Sequence, residues 1–430
     1  MTTITDGHGG HKRTDWFTDS RFGLFVHYGL YSLAARHEWV RHNEKLSDQH
    51  YQRYFEHFRA DRFDPYVWAR QAREAGMRYA VLTSKHHEGF CLWDSDLTDF
   101  KSTNTPAKRD LVAEFVKAFR AEGLAVGLYH SLIDWHHPDF PLDGLHPSWN
   151  ESTAEHDNAV RDGTRYTDYL HGQVRELIER FSPDVLWFDF SYPGNALVPG
   201  GKGADFWRSA ELVDLIRSLD PAVLLNDRLD LPAAADFVTP EEVQPLTGPT
   251  GQLWEACRTL NGSWGYAPGY QQWLDASQII GLLIDSVSKG GNLLLNVGPT
   301  ARGNFERRAS MLLAEVGRWV ELHGDAIYGA GPSQVPSPAG CTVTQNGARV
   351  FIHLTGGWPT GHLVLPGLPI ALRYASFLHD GAEVQHSVIG EKPPPAPHVI
   401  PAGPDGATLL TLALTRPDVA VPVIELDLDW

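Results

Sequence analysis

The chain has 430 residues, which suits a barrel of about 250 to 350 residues with a smaller companion domain better than one ordinary core. Its 53 acidic and 36 basic residues give a formal net charge of −17, which disfavours phosphate backbones and anionic lipid surfaces. We therefore expect two domains and neither a nucleic-acid partner nor a membrane partner.

The first 15 residues lack the apolar segment of a signal peptide, and no later stretch approaches the roughly 18 apolar residues of a membrane span. The three cysteines, Cys91, Cys257 and Cys341, are far apart and odd in number. This spacing predicts neither a disulfide framework nor a thiolate metal site. We expect a protein of the reducing cytoplasm.

From residue 22 to about residue 300, short apolar runs alternate with stretches of helical periodicity, which is typical of parallel strands covered by helices. The runs are rich in β-branched and aromatic residues, as expected of strands that are buried on both faces. Predicted strands lie at 22–27, 78–85, 124–130, 185–190, 222–227, 236–242 and 292–298. A weaker pattern at 253–257 indicates an eighth strand.

Helices are predicted between these strands, and several have an acidic N-cap and a C-terminal glycine. Their ranges are 64–76, 110–123, 165–181, 206–219, 275–290 and 305–324. Six or more β-α units in series favour a closed barrel over an open sheet. The expected fold class is therefore α/β, an irregular (β/α)8 TIM-like barrel, with the irregularity at 228–236, where a helix is missing.

After residue 333 the pattern changes to short alternating runs that are broken by glycine and proline. This pattern predicts antiparallel strands that form a small β-sandwich. We accordingly predict a barrel domain at 1–333 and a C-terminal sandwich domain at 334–430. The proline-rich tract at 391–406 predicts a stiff surface loop.

Polar residues accumulate where the predicted barrel strands end, which is the end that carries the active site in barrels of this type. A single histidine there is commonly a hydrogen-bonded rim residue, but agreement among six strands indicates a polar pocket. The residues are His27, Lys85, His86, His87, Glu88, Tyr129, His130, Trp187, Asp189, Asn226, Asp227, Arg228, Glu241 and Glu242.

Two chemistries fit such a pocket, and a metal centre is the weaker of them. The H-x-H and H-E-x-x-H spacings of hydrolytic metal sites do not occur in this part of the chain. His86 and His87 are adjacent, so they converge only if the chain turns between them. A sugar suits the pocket better, because imidazole, amide and guanidinium groups bind hydroxyls and indole faces cover C–H patches.

Cleavage of a glycosidic bond needs two carboxyl groups, one at the anomeric carbon and one that protonates the leaving oxygen. Asp189 lies within an apolar strand, where an unpaired carboxylate is costly, and so it indicates function or a salt bridge. The candidates for the acid are Glu241, Glu242 and Glu255. The sequence pattern does not rank them, because loops decide which carboxyl group reaches the pocket.

Segments along the chain resemble glycoside hydrolase family 29, the retaining α-L-fucosidases, in the order of that family. They include YAVLTSKHHEGFCLWDS at 79–95 and PDVLWFDF at 183–190. The others lie at 16–29, 37–40, 127–135, 226–228, 236–242, 254–266 and 287–303. The resemblance extends from residue 16 to about residue 330 and implies an irregular (β/α)8 barrel followed by a β-sandwich.

The resemblance also implies residue roles and an exo-acting double displacement. Asp189 matches the family nucleophile, and Glu241 looks like the general acid/base. The residues that match fucose-binding positions are His27, Glu38, Trp39, His86, His87, Tyr129, Trp187, Arg228 and Trp264. No metal and no cofactor are implied, so His86 and His87 are expected to bind sugar hydroxyls.

The chain departs from the family pattern at four positions, none of which removes a catalytic carboxyl group. Tyr28 stands where tryptophan is common, His130 where tyrosine is common, Phe190 where glycine often follows the nucleophile, and Glu242 where glutamine often follows the acid. These departures leave the preference for the leaving group open.

Two other functions remain open at this point. One is hydrolysis of a related α-L-glycoside such as an α-L-galactoside, and the other is fucose binding without catalysis. The expected partner is a small fucosylated glycan or glycoside, and a homo-oligomer is possible. The sandwich domain either braces the barrel or binds glycan, and Trp358 is a candidate for contact with another subunit.

Overall fold

The computed structural model describes residues 13–195, 198–246, 251–359, 361–365, 367–391 and 403–429. The predicted loop at 391–406 therefore falls mostly outside the described residues, as do the first 12 residues of the N-terminal segment. None of the described helices has the length and hydropathy that would let it cross a membrane.

The barrel domain is built on a seven-stranded parallel sheet in the order β5-β4-β3-β2-β1-β7-β6. Its strands are β1 Phe22–Val26, β2 Tyr79–Lys85, β3 Ala125–Ser131, β4 Val185–Asp189, β5 Leu224–Leu225, β6 Glu255–Thr259 and β7 Asn292–Val297. Nearly every residue of these strands is buried, as the apolar runs predict. The weak eighth pattern at 253–257 corresponds to β6.

The predicted strand at 236–242 is the main correction, because this segment forms no continuous strand. It makes single parallel bridges to both edges of the sheet, Asn226 to Phe237 on one side, and Val238 to Trp254 and Glu241 to Cys257 on the other. The segment therefore lies between β5 and β6 and links the two edge strands.

Two local features explain why 236–242 does not pair regularly. The amide of Thr239 donates to the Asp227 carboxylate at 3.1 Å rather than to a strand carbonyl, and Pro240 has no amide hydrogen. The strand predicted at 222–227 is likewise reduced to the two residues of β5. The irregular part of the barrel thus lies where the missing helix predicted it, and residues Pro232–Ala234 form only one 3₁₀ turn there.

Helices cover the sheet, and the predicted acidic N-caps are present. Asp64 accepts from the amides of Tyr66 and Val67, Asp110 accepts from that of Ala113, and Asp275 forms a capping box with Gln278. The helices are α1 Asp15–Ser20, α2 Tyr31–Ala34, α3 Val40–Asn43, α4 Asp48–His57, α5 Pro65–Glu74, α6 Leu111–Ala121, α7 Ala154–Asn158, α8 Gly163–Phe181, α9 Ala204–Trp207, α10 Ser209–Leu219, α11 Ala276–Ser288 and α12 Arg307–His323.

The helix predicted at 206–219 is divided into α9 and α10. Arg208, between them, has φ 49° and ψ 50°, a left-handed conformation that a continuous right-handed helix does not contain.

The C-terminal residues form two antiparallel sheets, as the alternating runs predict. One sheet has the order β12-β15-β10-β9-β8 and the other β11-β14-β13. Their strands are β8 Gly331–Pro332, β9 Thr342–Asn346, β10 Arg349–His353, β11 His362–Leu365, β12 Leu372–Phe377, β13 His386–Val388, β14 Thr408–Thr411 and β15 Val423–Leu428. Leu365 and Leu410 of one sheet share a buried core with Val350, Ile352 and Leu426 of the other.

The sandwich packs directly on the barrel helices. The Trp319 indole donates to the carbonyl of Val421 at 2.8 Å, and Thr344 donates to that of Ala326 at 2.9 Å. Trp358 is half-buried, with its indole donating to Ala413. These contacts support a bracing role, while the division at residue 333, glycan binding and a subunit contact through Trp358 stay predictions.

Candidate active site

A pocket of about 320 Å³ lies at the carboxyl ends of the barrel strands. It is of the size that ligand pockets commonly have, roughly 300 to 1,000 Å³. Every residue to which the family resemblance assigns a role lines it: Asp189, Glu241, His27, Glu38, Trp39, His86, His87, Tyr129, Trp187, Arg228 and Trp264. Their individual roles stay predictions, but their convergence is observed. Five of the polar residues at the strand ends do not line it, namely Lys85, Glu88, His130, Asn226 and Asp227.

Asp189 is the last residue of β4, and three donors hold its carboxylate. Its Oδ2 accepts from the Tyr129 hydroxyl at 2.8 Å. Its Oδ1 accepts from Arg228 Nη1 at 2.7 Å and from the amide of Phe190 at 3.0 Å. Only 8% of Asp189 is exposed. Three donors orient this buried carboxylate, and Arg228 is the salt-bridge partner that the sequence indicated for it.

Arg228 connects Asp189 with the second carboxyl group of the pocket. Its Nη2 lies 2.9 Å from Glu241 Oε2, so one guanidinium contacts both carboxyl groups. The Thr239 hydroxyl accepts from Arg228 Nε at 3.0 Å, and the guanidinium lies over the Trp187 ring at 4.7 Å. The irregular segment at 236–242 therefore carries Glu241 and also positions the arginine that reaches it.

The structure separates the candidates for the acid by where each carboxyl group points. Glu241 faces the pocket with 43% of its side chain exposed. Burial and the Asp189 charge raise its pKa, while Arg228 opposes the rise. Glu242 also borders the pocket, but its Oε1 accepts from the amide of Thr259 at 2.7 Å. Glu241 thus has the environment of an acid, and Glu242 is held towards β6.

Glu255 does not line the pocket but lies under it, inside the barrel. Its Oε1 accepts from the Trp187 indole at 3.1 Å and its Oε2 accepts from the Tyr79 hydroxyl. Burial raises its pKa to about 7, although both hydrogen bonds oppose the rise. Glu255 therefore supports the tryptophan of the pocket and does not contact the space where a substrate fits.

The hydrogen bonds of His27 and His87 show which ring nitrogen carries the proton, and in both of these pocket histidines the other nitrogen is an acceptor. His27 Nδ1 lies 2.7 Å from the oxygen of Asn296, whose amide nitrogen donates to the carbonyl of Trp264. His87 Nδ1 lies 2.8 Å from Ser131 Oγ, which itself donates to a carbonyl. Nδ1 is therefore the donor in each ring, and Nε2 is left as an acceptor. Burial lowers the pKa of both histidines, with His86 adding to the effect.

The adjacent residues His86 and His87 share one pocket because the backbone leaves the strand conformation before them. β2 ends at Lys85, and the chain turns at His87 and Glu88, so strand alternation no longer applies. The His86 and His87 rings then lie 3.8 Å apart, and both line the pocket. In the part of the chain that the structure describes, no three His, Cys, Asp or Glu side chains are grouped to hold a metal ion.

Aromatic rings form the rest of the wall. Trp187 stacks on Tyr129 at 5.6 Å, and Trp264 lies 5.2 Å from His27. Glu38 is buried, and its Oε2 accepts from the amide of Gly265 at 2.9 Å. This bond ties the segment of Trp39 to the segment of Trp264.

Other lining residues received no role from the sequence, namely Phe25, His37, Phe190, Cys257, Thr259 and Gly262. Phe190 gave a signal, because it replaces a common glycine, and its φ of 70° is a conformation that favours glycine. His37 lies next to the family-like Glu38 and Trp39, and its Nδ1 accepts from the amide of Trp39 at 3.1 Å. Thr239 lies outside the pocket lining, and nothing in the sequence pattern showed that it holds Arg228.

Hydrolysis of a glycosidic bond requires one ionised carboxylate and one carboxyl group that can be protonated near neutral pH. Asp189, which pairs with the Arg228 guanidinium, and Glu241, whose pKa is raised, lie together at the carboxyl ends of the barrel strands among histidine and tryptophan side chains. The fold and the site together define a barrel-type glycoside hydrolase.

Comparison with known proteins gives the family. The profile of the alpha-L-fucosidase family matches residues 4–325. Tissue alpha-L-fucosidase of Rattus norvegicus is 30% identical over 382 residues, which cover 81% of this chain and 77% of that protein. The chain belongs to the alpha-L-fucosidase family.

Solved structures of fucosidases are similar to this chain over nearly its whole length. Alpha-L-fucosidase isoenzyme 1 from Paenibacillus thiaminolyticus is 40% identical with a TM-score of 0.88, and the match covers 97% of this chain and 99% of that one. The alpha-fucosidase of Thermotoga maritima, solved with a mechanism-based inhibitor, is 29% identical with a TM-score of 0.77, and the match covers 96% of each chain. The likeness includes the sandwich domain, which the family profile does not reach.

Proposed function

We propose that the protein is an exo-acting retaining α-L-fucosidase that hydrolyses terminal α-L-fucosyl residues of small glycans or glycosides. The observation that carries the proposal is the contact of one guanidinium, that of Arg228, with both Asp189 and Glu241. Family membership and the fucosidases of similar structure support the choice of sugar.

In the first step, Asp189 attacks the anomeric carbon, and the bond to the leaving oxygen breaks. Glu241 gives its proton to that oxygen, so the leaving group departs as an alcohol and an ester joins fucose to Asp189. In the second step, Glu241 takes a proton from water, which attacks the anomeric carbon and releases Asp189. Two inversions give net retention.

The surroundings of the two carboxyl groups suit these opposite roles. Burial and the Asp189 charge raise the pKa of Tyr129, which keeps its hydroxyl protonated and able to donate to Asp189. The Asp189 charge also raises the pKa of Glu241, which favours the protonated acid at the start. Once Asp189 is an ester, that charge is lost and the pKa of Glu241 falls, so the same group becomes the base.

The rest of the pocket explains how one sugar ring is held. The acceptor nitrogens of His27 and His87 can bind ring hydroxyls, and the face of Trp264 can cover C–H patches. The barrel interior closes the pocket at its base with Phe25 and Trp187, which favours a terminal residue over an internal one.

The assay is release of nitrophenol from 4-nitrophenyl α-L-fucoside with and without a chelator, followed by NMR of the fresh product. We expect chelator-insensitive turnover with α-L-fucose as the first anomer, whereas β-L-fucose as the first anomer would exclude retention. A higher kcat/KM on the matching α-L-galactoside would reassign the sugar. Fucose binding by calorimetry without turnover of any activated fucoside would indicate a binding protein.

The cellular setting is also a proposal. We propose a cytoplasmic location, which is supported by the absence of a disulfide among the described residues, where Cys91, Cys257 and Cys341 are free thiols. Fractionation of cells that express the natural gene tests the location. A homo-oligomer stays a prediction, which analytical ultracentrifugation tests.

A further inference from the structure

A second cavity adjoins the pocket, and we call it the side cavity. It measures about 330 Å³, and Ser191, Tyr192, Asp227 and Asp230 line it without reaching the pocket. The two spaces share Asp189, Phe190, Arg228 and Glu241. The catalytic carboxyl groups thus stand at the boundary between two spaces.

The proposed reaction indicates what the side cavity holds. The leaving oxygen must lie within hydrogen-bond reach of Glu241, because this residue protonates it. If fucose fills the pocket, the group on the other side of that oxygen needs a space that also borders Glu241. The side cavity meets this condition.

The wall of the side cavity includes a tyrosine that is fixed in advance. The Tyr192 hydroxyl donates to Asp143 Oδ2 at 2.6 Å, and Asp143 is fully buried and paired with Lys202. The amide of Tyr192 donates to the carbonyl of Lys202 at 2.7 Å. Since the hydroxyl is engaged, the ring is the part of Tyr192 that remains for contact with a ligand.

Phe190 adds a second ring at the boundary. It lies 6.1 Å from Tyr192, nearly at right angles to it, and 4.3 Å from His87 in the pocket. Its positive φ disfavours any residue with a side chain, so the structure holds an aromatic ring where glycine would be easier. Two fixed rings suit a ligand with an apolar face, such as a sugar ring.

The charges of the side cavity limit the kind of sugar. Asp227 and Asp230 add two carboxylates to those of Asp189 and Glu241, and Arg228 is the one cation among the described lining residues. Arg228 already contacts Asp189 and Glu241. Carboxylates accept from sugar hydroxyls and repel a second anion.

We propose that the side cavity binds the leaving group and selects a neutral saccharide over one that carries a carboxylate or sulfate. The inference rests on the proposed fucosidase function and names the class of its aglycone. Tyr192 is the stacking residue and Asp230, which is exposed at the rim, contributes to the charge selection.

The test compares kcat/KM for three substrates: α-L-fucosyl fluoride, which has no sugar aglycone, an α-L-fucosyl-glucose, and the corresponding α-L-fucosyl-glucuronic acid. For Tyr192→Ala we expect the glucose-to-fluoride ratio to fall about fivefold, in line with the loss of one ring contact. Tyr192→Phe keeps the ring and should keep the ratio. Equal losses on both substrates in Tyr192→Ala would overturn the stacking role.

The charge selection has its own variant. The wild type should prefer the glucose substrate over the glucuronic acid substrate, and Asp230→Asn should narrow this preference about threefold at low salt, because exposed charges are partly screened. Asparagine tolerates the φ of 55° at this position, and Asp214→Asn on the outer side of α10 is the matched control. An unchanged preference in Asp230→Asn would overturn the selection.

The fluoride substrate distinguishes a failure of the proposed function from a failure of the side-cavity assignment. If the wild type does not hydrolyse α-L-fucosyl fluoride, the proposed function fails and the inference fails with it. If it does, and neither ratio responds to the variants, only the assignment of the side cavity fails.

Discussion

Replacement of Glu255 by glutamine tests how the barrel supports its pocket. The carboxyl group lies under Trp187, is 1% exposed and has a pKa raised from 4.5 to about 7 by burial. Glutamine has the same shape and no charge. It can accept from the Trp187 indole and donate to the Tyr79 oxygen, so both contacts survive in a neutral form.

The magnitude follows from the pKa. A carboxyl group whose folded pKa is raised contributes stability that is fully present below the unfolded value and is lost as the pH rises through the folded value. At about 1.4 kcal/mol per pKa unit, a rise from 4.5 to about 7 corresponds to about 3 kcal/mol. The wild type should lose about this much between pH 4.5 and pH 8, and Glu255→Gln should not.

The assay is urea unfolding followed by tryptophan fluorescence at pH 4.5, 5.5, 6.5, 7 and 8 for both proteins. All other titrating groups are common to them, so the difference between the two curves isolates Glu255. Glu56→Gln, on an exposed position of α4, controls for the loss of a carboxyl group. A difference between wild type and Glu255→Gln that stays constant with pH would refute the reasoning, and a loss of activity as severe as that of Glu241→Gln would reopen Glu255 as the acid.

Three further predictions concern the carboxylate pair and the domain contact. Asp189→Ala should lower kcat about 10⁴-fold while calorimetry still detects fucose binding, and near-normal turnover would remove Asp189 as nucleophile. Arg228→Gln should lower kcat/KM about 10²-fold and move the basic limb of the pH profile upwards, because Arg228 lowers the pKa of Glu241; a downward move would contradict this. His353 ends β10, where its Nε2 lies 2.9 Å from Thr344 Oγ1 and its ring lies 6.4 Å from Trp319 of α12. Burial lowers the pKa of His353 to about 3, so the unfolded chain binds more protons below about pH 6.5 and the free energy of unfolding falls as the pH falls. The difference in free energy of unfolding between the wild type and His353→Gln should therefore become smaller by about 2 kcal/mol from pH 7 to pH 5, as measured by urea unfolding. A difference that does not change with pH would contradict this prediction.

The sequence predicted those parts of the fold that local pattern determines. The long buried runs became β1 to β4 and β7, and Asp64, Asp110 and Asp275 cap the helices that they were expected to begin. Short-range signals of this kind depend on residues a few positions apart, which is why they can be read along the chain.

The segment at 236–242 shows what such signals miss. Its apolar and β-branched residues indicate a strand, but a hydrogen bond from Thr239 to Asp227, which lies earlier in the chain, diverts the amide that pairing needs. The same contact helps to place Arg228 next to Glu241. The irregularity and the site therefore have one physical origin that no local periodicity reveals.

The rank of the candidate acids also depended on long-range geometry. Glu241 and Glu255 both lie in segments whose sequence pattern indicates a barrel strand, so the pattern does not distinguish them. In the structure Glu241 faces the pocket, whereas Glu255 lies beneath Trp187. Tyr192 is likewise supported by residues distant in the chain, namely Asp143, which is 49 positions away, and Lys202, which is 10 positions away. The residue types were visible in advance, but not which of them meet.

The most direct test of the account is to trap the covalent intermediate with 2-deoxy-2-fluoro-α-L-fucosyl fluoride and to locate the adduct by mass spectrometry of the digested protein. The fluorine at C2 slows both formation and hydrolysis of the ester. The anomeric fluoride is a good leaving group, so the ester forms faster than it is hydrolysed. We expect one fucosyl adduct per chain on the peptide that contains Asp189, and none in Asp189→Ala. An adduct on any other residue, or retention of full activity after prolonged exposure, would contradict it.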